Sequence, residues 1–343
     1  MRLPLRGAYR VLALAACLGV PAAGLRAAEP LDLAELRQNL FATCFTGDQE
    51  VWMVGELGRI FHSVDGGRTW ERQHADTRRP FLAISCTGPG RAWIAGKEGI
   101  VYQTTDAGAT WKPLDTGSDR HVFALAFADE QRGHGAGDFG AMVHTEDGGQ
   151  TWTRQQVPED IVLPEEAIDM GVAPGDVNLY GLSYGDRDHL WAVGEFGIIM
   201  TSSDGGLTWT QQHSPFESTL FGVHFVDAQR GWAVGIDSVI ITTVDGGATW
   251  TVQPPPVRGR SFYDVAIRGQ RGWIVGDSGT LLVSSDGGAT WRLSEVPIEL
   301  AANWLRSVAL RPNGRGLAVG ADGLVFRLDG EQYERLAAPE AAS

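Results

Sequence analysis

The chain reads as all-β, a seven-bladed β-propeller of four-stranded antiparallel blades. Three observations lead there. A string of the form WAVGEFGIIMTSSDGGLTW recurs at 52–70, 93–111, 134–152, 191–209, 232–250 and 273–291, and a decayed seventh copy begins LAVGADGLVFRLDG at 317–330. The closing tryptophans Trp70, Trp111 and Trp152 are 41 residues apart, as are Trp209, Trp250 and Trp291, a period of the size that builds one blade. Within each period, runs rich in β-branched and aromatic residues alternate with glycine turns, and helix-period patterning is scarce.

The fifth copy shows the four strands in order. LFGVHFV (220–226) sets Phe221, Val223 and Phe225 on one face, the alternation of a strand packed on at least one side. DAQRG reverses the chain, GWAVG (231–235) is a second strand, and IDS turns it again. SVIITTV (238–244) is a third strand, DGGAT the next turn, and WTVQ (250–253) the fourth strand. In the DGGxTW turn an aspartate that accepts bonds from amides farther along fixes the reversal, and the glycines adopt positive φ at little cost. A hydroxyl stands two residues ahead of each aspartate: Ser63, Thr104, Thr145, Ser202, Thr243 and Ser284. The aspartates Asp65, Asp106, Asp147, Asp204, Asp245 and Asp286, and the tryptophans Trp70, Trp111, Trp152, Trp209, Trp250 and Trp291, are therefore read as architectural, each indole plugging the turn above it. Six like turns cannot all be active sites.

Three arginines, an apolar run from Val11 to Leu25 and then small residues mark 1–27 as a secretory signal peptide, too short and wrongly flanked for a membrane span. The expected location is the periplasm. A rival is LAAC (14–17), a lipoprotein-type cleavage box that would leave Cys17 lipidated and the protein tethered, facing the periplasm. An N-terminal segment follows at 28–38, able to add an edge strand or short helix; the propeller spans 39–337 and a tail 338–343. Between Trp152 and Trp209 the period is 16 residues too long, which places an extra loop at 157–178.

Without residues 1–27 the chain carries 24 basic against 42 acidic side chains. That field repels phosphate backbones, so no nucleic-acid partner is expected. The mature chain holds two cysteines, Cys44 and Cys86, in what would be an oxidising compartment. Aligned repeats place them one position out of register, hence on opposite strand faces. Neighbouring blades pack opposite faces together, so the thiols can meet as a disulfide; the offset equally permits two separate buried cysteines.

The pattern S/T-x-D-x-G-x-T-W resembles the Asp box of the bacterial neuraminidase repeat, found in sialidases, large glucan hydrolases, sorting receptors and the photosystem II stability and assembly factor family. From Asn39 to Leu336 the chain is most similar to the last group, a signal peptide followed by one propeller with Asp-box turns. The resemblance implies a non-enzymatic, monomeric, cofactor-free factor that binds an integral membrane protein or its exported segments. In photosynthetic organisms that family acts on the lumenal side of the thylakoid, on newly made reaction-centre subunits. Its photosynthetic members carry an arginine patch, which does not map here residue by residue.

Candidate contact residues lie outside the repeat's own bracing. Arg132, Arg230, Arg271 and Arg315 recur in the turn between first and second strands, on the same face as the boxes; they either sit beside box carboxylates and carbonyls or form a basic rim. On the opposite face the turn after the second strand presents Glu56, Lys97, Asp138, Glu195, Ile236, Asp277 and Ala321, a mostly acidic set around the channel mouth. The extra loop falls there too, with Glu165, Glu166 and Asp169 among Ile161, Leu163, Ile168 and Met170. Loops that break a repeat commonly carry function, and Pro164 before two acids suits a helix start. An acidic, apolar flap suits a basic or amphipathic segment; a solvated cover over the channel is the plainer reading.

Enzymatic readings find less. No Arg-Ile-Pro tripeptide announces a sialidase, and Tyr180 and Tyr184 occupy the repeat positions of Phe221 and Phe225, so they read as core. Glu195 and Asp138 could supply a glycosidase's two carboxylates, which keeps a glycan-binding or glycoside-hydrolysing propeller as the alternative function. The histidines lack metal-ligand spacing, and the VGxxG strings are hairpin turns, not nucleotide loops.

Overall fold

A computed structural model describes residues 36–297 and 302–336. The signal segment, Cys17 with its lipid-anchor alternative, and the tail 338–343 lie outside the described residues. Within them the chain forms seven four-stranded antiparallel sheets, each with its strands in sequence order. The blades span 40–74, 81–114, 122–156, 179–212, 220–252, 262–293 and 305–335. In blade 5 the strands are Leu220–Phe225, Gly231–Gly235, Ile240–Thr243 and Thr251–Val252. The first strand of every blade lines the central channel, a cavity of about 330 Å³.

A short 3-10 turn joins second to third strand, as at Ile236–Ser238. The glycine before it answers to crowding rather than φ: a Cβ on Gly235 would lie 2.0 Å from the Thr219 carbonyl oxygen. The next residue but one adopts φ near +57° in Leu57 and Asp237 and +52° in Phe139, a region non-glycine residues seldom occupy.

The core lies between blades. Trp191, Val193 and Ile199 of blade 4 pack with Leu220, Val223, Phe225 and Trp250 of blade 5 in one buried cluster. Trp191 stacks on Phe225 at a centroid separation of 3.5 Å. A buried indole removes roughly 200 Å² from water, about 5 kcal/mol of gross transfer free energy before ordering costs. Since each blade hides its apolar faces only against neighbours, stability requires the closed ring.

Closure takes place without strand exchange. Blade 1 and blade 7 each contain four strands of their own repeat. The described end of the N-terminal segment is neither strand nor helix: Leu36 is buried against Leu317, Val319 and Val325 of blade 7, and the Gln38 carbonyl accepts the Gly323 amide at 3.0 Å.

One expectation for the first strand changes. In all seven blades the pairing of first to second strand slips at the residue after the strand's first, a bulge that re-aims a side chain; blade 2 slips again between Cys86 and Gly88. Phe221 thus leaves the face it was expected to share with Val223 and Phe225 and lines the channel.

Candidate functional site

The six DGGxTW-type turns (DAGATW in blade 2) hold their carboxylates inward. Asp204 Oδ1 accepts the Ser202 hydroxyl at 2.7 Å and the Leu207 and Thr208 amides at 3.0 Å, while Oδ2 accepts the Thr208 hydroxyl at 2.6 Å. The Ser202 oxygen in turn accepts the Gly206 amide at 2.8 Å. Asp65, Asp106, Asp147, Asp245 and Asp286 repeat the hydroxyl and threonine contacts. The Thr208 hydroxyl and amide hold Asp204 down to about 2, as those of Thr249 and Thr290 hold Asp245 and Asp286.

The boxes are not closed upon themselves, however. Box carbonyls, and the indole N–H groups of Trp111, Trp250 and Trp291, bond to the preceding blade. Trp191 Nε1 donates to the Gly246 carbonyl at 3.2 Å and Trp232 Nε1 to that of Gly288 at 3.0 Å. A fourth-strand glutamine adds a second link: Gln253 Nε2 donates to Gly288 O at 3.0 Å and its Oε1 accepts Trp291 Nε1 at 3.0 Å. Gln73 and Gln212 do the same for Trp111 and Trp250. Sequence reasoning passed over these glutamines, although the recurrence of Q three residues after the tryptophan in WERQ, WTRQ, WTQQ and WTVQ was a usable signal. Blade 2 has Leu114 instead, and Trp152 Nε1 is buried without a partner; Gln155 of blade 3 makes the carbonyl contact to Gly206 but leaves its Oε1 and the Trp209 N–H unpaired.

Two positions depart from this scheme. His134 takes the tryptophan's place in blade 3, its Nδ1 2.6 Å from the Tyr184 hydroxyl; burial, aided by the neighbouring His144, holds it down at about 3. At the closure, blade 7 has Leu317 for tryptophan, and Arg311 and Arg327 donate to the Gly66 and Gly67 carbonyls of blade 1. Cys44 and Cys86 are joined across the first blade interface with Cα atoms 6.1 Å apart, one of the two arrangements their offset left open.

The arginine set lies among carboxylates. Arg132 pairs with Glu146 and Asp188 at 3.2 and 3.3 Å, Arg230 with Asp227 at 2.8 Å, Arg271 with Glu331 at 3.6 Å and Arg315 with Asp329 at 2.9 Å. These contacts neutralise the set locally.

On the opposite face three of the four acids brace the start of the first strand. Glu56 accepts the Asn39 amide and side chain, Glu195 the Asn178 amide and side chain, and Asp277 the Ser261 amide. Asp138 lies 3.9 Å from His121. Tyr180, expected in the core, instead stands half-buried at the channel mouth and donates to Glu195 at 3.1 Å; burial and then the Glu195 charge push its hydroxyl up to about 12.

That tyrosine belongs to a ring the bulges create. Phe41, Leu82, Phe123, Tyr180, Phe221, Tyr263 and Arg306 occupy the bulged position in turn and all line the channel. From blade 3 onward they touch: the centroids of Phe123 and Tyr180, Tyr180 and Phe221, and Phe221 and Tyr263 lie 5.4, 5.2 and 5.4 Å apart, and Arg306 sits 5.5 Å over Tyr263.

The extra loop docks at the periphery rather than over the channel. Ile161, Leu163 and Ala167 are buried with Met142, Leu190 and Met200, and Val162 exchanges two hydrogen bonds with Gln211 of the fourth strand of blade 4. The four apolar residues therefore divide: Ile161 and Leu163 anchor, whereas Ile168 and Met170, with Val162 and the nearby Phe139, are exposed. Glu165, Glu166 and Asp169 stand exposed on the helix Glu165–Asp169. Among the described residues no group of three or more metal-ligating side chains occurs, and no helix is long and apolar enough to cross a membrane.

Architecture and site together define a repeat-built propeller whose repeated polar groups are committed to bracing, with one face left acidic and apolar. Residues 25–118, 207–300 and 251–329 match the family described as Photosynthesis system II assembly factor YCF48, and the chain belongs to that family. Solved structures agree in fold. YCF48 bound to D1 peptide matches with a TM-score of 0.68 at 21% identity, over 91% of this chain and 98% of that one. YCF48 from Cyanidioschyzon merolae matches with 0.68 at 20% identity, over 86% and 97%. The WD40 propeller domain of Doa1 matches with 0.62 at 15%, over 89% and 95%. Comparison with curated proteins found no match.

Proposed function

We propose that this protein is a non-catalytic, exported, monomeric scaffold that binds a segment of an integral membrane protein and assists the assembly or stability of its complex. The observation that carries this reading is the asymmetry of the two faces. The box face has its carboxylates bound within turns and its rim arginines paired with acids, and its exposed apolar side chains, Val64, Leu207 and Val244, are single residues set in separate turns. The other face presents the partly exposed channel ring, exposed Phe139, Val162, Ile168 and Met170, and the acids of the loop helix. Exposed apolar groups rimmed by charge are the usual mark of a protein-contact surface. Family membership supports the same role, and a relative has been solved with a bound peptide.

Export to the periplasm, free or held by lipid on Cys17, is part of the proposal. The test is crosslinking of the exported protein in intact cells followed by mass spectrometry. One integral membrane protein should be recovered, and lost when Glu165, Glu166 and Asp169 are all changed to lysine. Recovery of no membrane protein, together with turnover on a glycoside panel abolished by Glu195→Gln, would establish the glycan reading instead.

A further inference from the structure

Resting on the binding role proposed above, we infer that the aromatic arc at the channel mouth is a receptor for a basic side chain, so that the partner segment brings an arginine or lysine into the ring. Phe123, Tyr180, Phe221 and Tyr263 form a continuous arc with centroid separations of 5.2 to 5.4 Å. All four are partly exposed around a cavity of about 330 Å³, large enough for a side chain. An aromatic face attracts a cation through its quadrupole, more so where water is thinned. The next member of the arc shows the fit: Arg306 is itself a guanidinium seated 5.5 Å over the Tyr263 ring.

Around the channel mouth on this face the turn charges are mostly acidic, Lys97 being the cation among them, and the Arg268 that lines the cavity stands at the far end of the strand Phe262–Arg268. Glu195 lies on the Tyr180 hydroxyl, and Asp138 and Asp277, in the same turn of blades 3 and 6, each keep one carboxylate oxygen without a hydrogen-bond partner. The loop acids Glu165, Glu166 and Asp169 extend the field outward on the same face. Arg306 is already committed to the ring. One of its nitrogens donates to the Tyr263 carbonyl at 3.2 Å, and the neighbouring Asp264, whose oxygens hold the Val265 and Val308 amides, is pushed up by burial. An acidic segment would meet repulsion before reaching the ring, whereas a basic one is steered toward it.

The test uses the purified exported protein and three fluorescently labelled twelve-residue peptides of leucine, glycine and serine, identical except for two central positions. Those positions carry arginine, its neutral isostere citrulline, or glutamate. The arginine peptide should bind about five- to tenfold more tightly than the citrulline peptide, as expected for a partly desolvated cation on aromatic faces, and the preference should weaken in 0.5 M NaCl. Phe221→Leu, which keeps an apolar side chain but removes a ring face, should reduce the preference with the thermal midpoint held. Equal binding of arginine and citrulline peptides, tighter binding of the glutamate peptide, binding of none, or an unchanged preference in Phe221→Leu each overturns the inference. Crosslinking of a membrane protein in cells that persists in Phe221→Leu would leave the scaffold role standing while removing this site from it.

Discussion

Gln212 of blade 4 and Trp250 of blade 5 hold each other across the blade boundary. The indole donates to Gln212 Oε1 at 3.2 Å while Gln212 Nε2 donates to the Gly246 carbonyl at 2.8 Å. One amide thus satisfies both a donor and an acceptor of the next turn. Gln212→Leu is expected to destabilise by about 1–3 kcal/mol, because the Trp250 N–H is left buried without a partner while the Gly246 carbonyl keeps only Trp191. The reverse exchange is available in blade 2, where Leu114 leaves the Trp152 N–H unpaired, and Leu114→Gln should recover about 0.5–1.5 kcal/mol. Urea unfolding midpoints measure both; shifts of opposite sign support the bridge.

Closure rests on Arg311, which is 8% exposed, donates to the Gly66 carbonyl and lies 4.8 Å over the Phe45 ring. Arg311→Met keeps the apolar stem and removes the charge-assisted bond. A loss of about 1.5–3 kcal/mol is expected, with amide exchange accelerating first in blades 1 and 7, the pair this bond joins. Uniform acceleration around the ring would argue against a special closure.

Acid should unfold the protein in two stages. Burial keeps His134 near 3 and His224 near 4, so below about pH 6.5 the unfolded chain takes up protons that the folded chain refuses. Stability then falls with a slope of about 1.4 kcal/mol per pH unit for each such histidine until its folded value is reached. The aspartates act lower. Asp204, Asp245 and Asp286 are held at about 2, so their contribution is complete above the ordinary carboxylate range near 4 and disappears as pH falls toward 2. His134→Gln should flatten the first stage and leave the second, read from thermal midpoints between pH 7 and 2.

Joining Cys44 to Cys86 closes a loop with a sequence separation of 42. Loss of chain entropy in the unfolded state is worth about 4 kcal/mol for a loop of that size. Cys44→Ser/Cys86→Ser should lower stability by roughly this amount, and dithiothreitol should reproduce the shift in the wild type. A reductant effect persisting in the double variant would show that this bond is not its source.

Phe139 holds φ at +52° while exposing nearly half its surface. A bulky residue there costs about 1–2 kcal/mol relative to one that tolerates the region. Phe139→Asn should therefore hold or raise the thermal midpoint, despite losing the Arg120 guanidinium 4.5 Å over the ring, and should weaken partner capture in the crosslinking assay. Greater stability with unchanged capture would place Phe139 outside the binding face.

The amino-acid sequence by itself determined the strands, the turns, the number of blades and the opposed faces of Cys44 and Cys86. Those features follow from alternation along a strand and from turn chemistry, both confined to a few neighbouring residues. Tertiary structure alone decided that Phe123, Tyr180, Phe221, Tyr263 and Arg306 converge on the channel, since a bulge breaks the alternation from which Phe221 had been assigned to a packed face. It also decided where the box carbonyls and indoles bond, through links such as Trp191 to Gly246 that cross 55 residues of chain. The recurrent glutamine marks one partner of such a link, but which group it meets is set only when the packed ring brings one blade's fourth strand against the next blade's turn. The division of the extra loop into anchoring Ile161 and Leu163 and exposed Ile168 and Met170 was hidden for the same reason: four similar apolar residues differ only in what the fold sets beside them.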